Sequence, residues 1–144
     1  MDGTLLYLDP TAIVKLVVEA PETDALREEL TRWPERVTSR LSVVEVGREA
    51  RLHSEGAAGV ARKVLSGLAL VNVDAEVLRL AADLDLSDSP GLPGPANLPT
   101  LDVIHLATGL SLADELGAFV SYDGWMLLAA DAAGLNVLVP GASP

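Results

Sequence analysis

Short apolar runs alternate along this chain with longer stretches in which apolar and polar positions mix. Residues 4–9 are a short run of strand formers, stopped by Asp9 and Pro10. Residues 11–18 predict a short helix, with Pro10 near its first turn, where a missing N–H costs nothing. Pro21-Glu22-Thr23-Asp24 opens a second helix, apolar at Ala25, Leu26 and Leu30, that ends near Trp33-Pro34. Residues 36–39 predict a short strand. Ser42-Val43-Val44-Glu45 has the S-x-x-E form of a capping box, for a helix running to about His53. A helix over 56–68, a strand over 69–73 and a helix over 75–84 capped by Asp74 follow. Residues 87–99 hold four prolines and two glycines and predict a loop. Beyond it come a helix over 100–116, a strand over 118–121, a helix over 124–133 and a last strand over 136–139. Gly134 stands where a helix C-cap belongs. Strands separated by helices argue for an α/β fold with a parallel sheet covered on both faces.

Composition narrows this picture. The length of 144 residues fits a single domain, 1–144, with one sizeable core, and no internal repeat is visible. Apolar residues make up 49% of the chain and charged ones 22%, so the chain folds. Aromatics are only 3%, which makes the core aliphatic. The absence of cysteine excludes disulfides, thiolate zinc sites and cysteine nucleophiles, and suits a reducing cytoplasm. No apolar run is long enough to cross a membrane, and no signal peptide is evident.

Charge changes the picture more. Acidic residues number 21 against 10 basic ones, for a formal net charge of −11. A passive nucleic-acid binder needs a basic face, so that class is disfavoured. Three uses remain for the acids: solubility, a basic protein partner, or carboxylates gathered around a cation. In parallel sheets, sites form at the carboxyl ends of strands. Asp9 ends the first strand, and Asp123 follows the strand over 118–121. Asp102 lies in the first turn of the helix after the Pro/Gly loop, and Glu45 in the first turns of the helix after strand 36–39. Carboxylates that converge repel one another unless a cation joins them. Mg2+ and Mn2+ take oxygen ligands and keep several waters. The expectation is metal-assisted cleavage of a phosphodiester.

A competing motif opens the chain. Asp2-Gly3-Thr4-Leu5 has the look of a DxDGT phosphatase loop. That chemistry needs a nucleophilic aspartate two residues earlier, a position that would precede Met1. Asp9, with a strand before it and a helix after it, is the better candidate.

Four stretches then carry a specific resemblance: LDPTAIVKL, VTSRLSVVEVGREA, LDVIHLATGL and FVSYDGWMLLAADAAGLNVLVPG. In this order they resemble the blocks of PIN-domain ribonucleases, in particular the VapC-type toxins of bacterial toxin–antitoxin pairs. The resemblance runs from about Thr4 to Gly141. It implies a parallel sheet flanked by helices, a Mg2+- or Mn2+-dependent endoribonuclease, a homodimer, and a cognate antitoxin that blocks the site. It assigns Asp9, Glu45, Asp102 and Asp123 to the catalytic, metal-holding acids, and Thr11 and Ser121 to supporting hydroxyl positions. The chain departs from the pattern at Pro10, where Ser or Thr is usual, and at Gly124-Trp125, where a polar or basic residue often follows the last aspartate.

Each residue also has a plainer use. Asp9 and Asp123 could cap helices, Glu45 could complete a capping box, and Asp102 could serve the helix dipole. His105 reads first as a buried structural histidine. Arg48, one turn after Glu45, reads first as its ion-pair partner rather than as a phosphate contact. Asp83, Asp85 and Asp88 form an acidic loop edge without a complete calcium loop. Trp125 is open to base stacking or to core filling. The expected function is an endoribonuclease toxin, with RNA as substrate, a basic antitoxin as partner and no membrane. The alternative is a PIN-like fold turned into a binding or assembly protein.

Overall fold

The computed structural model describes residues 3–87 and 98–142. Five strands form one parallel sheet: β1 (Leu5–Leu8), β2 (Glu35–Ser39), β3 (Ala69–Val71), β4 (Leu116–Val120) and β5 (Val137–Leu138). Their order is β3-β2-β1-β4-β5, so the first strand lies in the middle. Every neighbouring pair runs parallel. Parallel strands need a crossover, and helices supply each one. These are α1 (Pro10–Val17), α2 (Thr23–Leu30), α3 (Leu41–His53), α4 (Glu55–Ser66), α5 (Ala75–Asp83), α6 (Thr100–Ser111) and α7 (Gly124–Ala132).

Alternation along β1 divides the core. Leu6 and Leu8 point into one layer with Ile13, Leu26, Val46, Ala61 and Val120. Tyr7 points the other way, toward Leu106, Phe119, Met126 and Ala130. Both faces are buried, which is why β1 and β4 read as unbroken apolar runs. Large side chains such as Leu6, Leu8, Ile13 and Leu26 are fully buried. Each contributes roughly 1.5–3 kcal/mol by leaving water. The apolar side of α2, Leu26 and Leu30, packs into this core.

The element order matches the sequence pattern, with shifted ends. Asp74 caps α5 by accepting the Val77 N–H, as expected. After α7, Gly134 takes φ +89, and the N–H groups of Gly134 and Leu135 bond Asp131 and Ala130. That pair of bonds is a Schellman ending. The helix expected over 100–116 is too long. Helix α6 stops at Ser111, Ala113 turns to φ 52, and a short 3-10 turn leads into β4. Gly117 thereby lies inside the strand, where a Cβ would collide with the Gly3 carbonyl and the Trp33 ring.

The capping box at Ser42 does not form. Arg40 occupies the N-cap of α3 without a side-chain bond, and Ser42 is already helical. Its buried hydroxyl pairs with that of Thr38 at 2.6 Å, while Thr38 donates to the Leu8 carbonyl at 2.7 Å. Ser42 is thus the donor to Thr38, and this chain of bonds ties α3 to β2 and β1. Glu45 is free of capping duty.

Candidate functional site

Strand order decides where side chains can meet. The crossover leaving β1 builds the sheet on one side, toward β2, while β4 flanks β1 on the other. Neighbouring connections that diverge in this way open a crevice at the carboxyl ends of the strands. Asp9 stands there at the end of β1, and Ser121 and Asp123 stand at the end of β4. Helix α6 precedes β4 and runs antiparallel to it, so its first turn, with Asp102, starts at the same edge. Helix α3 leaves β2 there too, carrying Glu45.

Asp9 is 2% exposed, which is unusual for a carboxylate. It caps α1: Oδ1 accepts the Ala12 N–H at 3.0 Å and the Thr11 hydroxyl at 2.6 Å. Both bonds fall on Oδ1, and among the described residues no fully buried side-chain polar atom lacks a partner. Oδ2 takes no part in either bond. Burial pushes the carboxyl up to about 6, against bonds from Ser121, Thr11 and Ala12 and the influence of His105. Thr11 also accepts the Tyr122 N–H at 2.9 Å, and Ser121 accepts the Asp123 N–H at 3.1 Å. The two supporting hydroxyls thus clamp the end of β4 to the start of α1, with 3.5 Å between them.

Glu45 is about a quarter exposed, and its partner is His105 rather than Arg48: Oε1 lies 2.6 Å from Nε2. Among the described residues no ion pair joins Arg48 to Glu45, and Arg48 is exposed. His105 is fully buried, as expected, but it is also wired to the site. Its Nδ1 meets the Tyr7 hydroxyl at 2.7 Å. Tyr7 is the residue that sequence reasoning passed over. The signal was present: a lone hydroxyl in an aliphatic strand must find a partner when buried.

Asp102 is half-buried in the first turn of α6. Burial raises its carboxyl, with Asp123 and Glu45 pushing the same way and His105 opposing. These acids therefore lie in each other's field. Asp123 performs its plainer task, capping α7 by accepting the Trp125 N–H at 3.0 Å. Among the described residues, no three Asp, Glu or His side chains stand as a ready-made ion cage.

Other candidates fall elsewhere. Asp83 ends α5, and Asp85 accepts the Ser87 N–H on the surface. Asp2, Asp88 and most of the Pro/Gly loop lie outside the described residues. Trp125 is 50% exposed at the start of α7, which excludes core filling. A groove of about 830 Å3 runs between α3 and α4, from Glu45 and Leu101 past Arg48, Arg51 and Arg62. No helix among the described residues is long and apolar enough to cross a membrane.

Known proteins share this arrangement of blocks. A family model described as PIN domain matches residues 6–124. Ribonuclease VapC46 of Mycobacterium tuberculosis, strain H37Rv, is 44% identical over 136 residues, covering 94% of this chain and 97% of that protein. Ribonuclease VapC47 of the same species, strain CDC 1551, is 36% identical over 143 residues, covering 96% and 98%. Among solved structures, a toxin-antitoxin complex from Klebsiella pneumoniae superposes with a TM-score of 0.68 at 17% identity, over 94% of this chain and 97% of that one. A protein of Pyrobaculum aerophilum superposes at 0.54 and 20% identity, over 93% and 83%. At such identities the two structural matches speak for the fold.

Proposed function

This chain belongs to the PIN-domain family, and on that premise we propose that it is an endoribonuclease acting as the toxin of a toxin–antitoxin pair, dependent on Mg2+ or Mn2+. The observation that carries the reading is Asp9: a buried carboxylate at the sheet switch point, with one oxygen fixed by Thr11 and Ala12, beside the crevice that Glu45, Asp102 and Asp123 border. The ribonuclease names of the relatives and the toxin-antitoxin title of a structural neighbour support it.

The donors suit a hard cation, being carboxylates and hydroxyls with neither thiolate nor thioether among them. Asp9, Glu45 and Asp102 would hold it, and Asp123 would hold a second ion or orient water. A bound ion supplies an acidified water and offsets negative charge on the phosphate. The chain's own part is positional. Thr11 and Ser121 keep Asp9 and the Asp123 backbone in register across the β1–β4 crevice. The exposed face of Trp125 is available to stack on a base.

Purified protein is expected to cut RNA with Mg2+ or Mn2+ and to lose that activity in EDTA. Equal cleavage in EDTA would remove the metal from the proposal. The second reading is a PIN-like binding protein, and no cleavage under any of these conditions would turn the assignment toward it.

The partner is a basic antitoxin. A net charge of −11 and an open acidic crevice favour a cationic side chain, and Arg pairs bidentately with carboxylate. Co-purification from the native operon is expected to yield a small basic protein bound to this chain. Recovery of free protein alone would count against the pair. We place the toxin in the cytoplasm as a homodimer, following the family resemblance.

A further inference from the structure

We propose that Tyr7 and His105 form a positioning relay that holds the Glu45 carboxylate ready for the cation, an inference that rests on the metal-dependent reading of the site. Three elements meet in it. Tyr7 comes from β1, His105 from α6 and Glu45 from α3. Both ring nitrogens of His105 are committed, Nδ1 to the Tyr7 hydroxyl at 2.7 Å and Nε2 to Glu45 Oε1 at 2.6 Å.

Proton inventory fixes the direction. An ionised carboxylate accepts and cannot donate, so Nε2 carries a hydrogen and gives it to Oε1. The Tyr7 hydroxyl is buried beside Thr38 and the Ser39 backbone, and its short hydrogen bond runs to the His105 ring at 2.7 Å. It therefore donates to Nδ1. The result is the Nε2–H tautomer of the ring, the form that can orient Glu45. Deleting the hydroxyl would leave Nδ1 unsolicited and the tautomer unspecified.

Packing makes the relay stiff. Tyr7 stacks on Phe119, centroids 4.9 Å apart and planes within 3°, and meets the His105 ring edge-on at 72°. A glutamate has three rotatable bonds, and this one is partly exposed. Pinning Oε1 to a buried ring removes most of that freedom and leaves Oε2 as the oxygen to offer. An apolar residue would fill the fully buried position 105 equally well. A ring with both nitrogens spent, one of them on a group at the open crevice, serves that group. His105 is thus a positioning residue, reaching the chemistry through Glu45. Outer partners that orient a ligand typically change metal affinity or activity by about 10–100-fold when removed.

The test uses the full chain with His105→Leu, His105→Gln and Tyr7→Phe. Mn2+ affinity is measured by calorimetry without RNA, and kcat and KM are measured with RNA. Gln places an N–H donor where Nε2 stood, and Leu places none. Expected are a Mn2+ affinity about 10–100-fold weaker in His105→Leu, recovery to within a few-fold in His105→Gln, and a loss in Tyr7→Phe. RNA cleavage should fall in kcat with KM little changed. Should His105→Leu fail to fold, Tyr7→Phe, which keeps the stacked ring, carries the comparison. Nitrogen chemical shifts of His105 in metal-free protein, assigned against His53, should report the Nε2–H tautomer, and Tyr7→Phe should mix the tautomers. A wild-type Nδ1–H tautomer, or unaltered Mn2+ affinity in folded His105→Leu or Tyr7→Phe, overturns the relay. A wild type that shows the Nε2–H tautomer yet binds no Mn2+ overturns the metal reading on which the relay's role depends.

Discussion

Asp9→Asn is expected to lower Mg2+-supported RNA cleavage at least about a hundredfold while the chain stays folded. Loss of a direct ligand should exceed the roughly 10–100-fold typical of an outer partner. The substitution is close to isosteric. An Asn carbonyl can still accept from Thr11 and Ala12, so the cap on α1 persists. What changes is Oδ2, which becomes a neutral amide nitrogen, a donor facing the cation. Asp102→Asn should behave similarly, since it removes an acid that shares the field of Asp123 and Glu45. Asp83→Asn, on the end of α5, is the control and should cut normally. The readout is initial rate on a fixed RNA at several Mg2+ concentrations, beside a circular dichroism melt. Near wild-type cleavage by Asp9→Asn with unchanged metal dependence would sink the assignment.

Stability should move in the opposite direction. The Asp9 carboxyl has an ordinary value of 3.8 in the unfolded chain and is pushed up to about 6 by burial in the fold. Between those values the folded state binds the proton more often than the unfolded state. Folding stability in metal-free buffer should therefore fall as pH rises from about 4 to about 6, and stay low above that. The full difference is on the order of 3 kcal/mol, at 1.36 kcal/mol for each unit of displacement. Asp9→Asn has no proton to lose and should flatten this part of the profile. It should also be the more stable protein at neutral pH without metal. Mg2+ should reverse the ranking, adding about 2.7 kcal/mol to wild type at a hundredfold excess over Kd and little to the variant. Urea melts of both proteins across pH 4–7, with Mg2+ and with EDTA, separate the terms. Coincident profiles for the two proteins would mean that the buried carboxylate carries no such penalty.

The sheet was legible because both of its faces are covered. Strands such as Leu5–Leu8 and Leu116–Val120 then appear as apolar runs, and Asp9 stands out as the polar residue that ends one. Local signals failed where a distant contact outweighed them. The S-x-x-E pattern at Ser42 is real, yet the Ser42 hydroxyl bonds Thr38 inside the core instead of a helix N–H. Arg48 is the near neighbour of Glu45 along α3, but the partner is His105, 60 positions away. Spacing reveals the faces of a helix, and no spacing rule reaches across two crossovers. The end of α6 was missed for a related reason. Leu116 and Gly117 suit a helix or a strand, and the β1–β4 pairing claims them for the sheet.

Thr11 and Tyr122, which join the start of α1 to the end of β4, are separated by 111 positions. The central strand of the sheet is therefore made long before the neighbour that completes the crevice. Pairings of such sequence separation are slow to form, because loop closure precedes any reward. A growing chain therefore carries Asp9 with nothing across from it until β4 has been made. The crevice is a property of a chain that has reached β4, and a copy stopped short of it lacks one wall of the site.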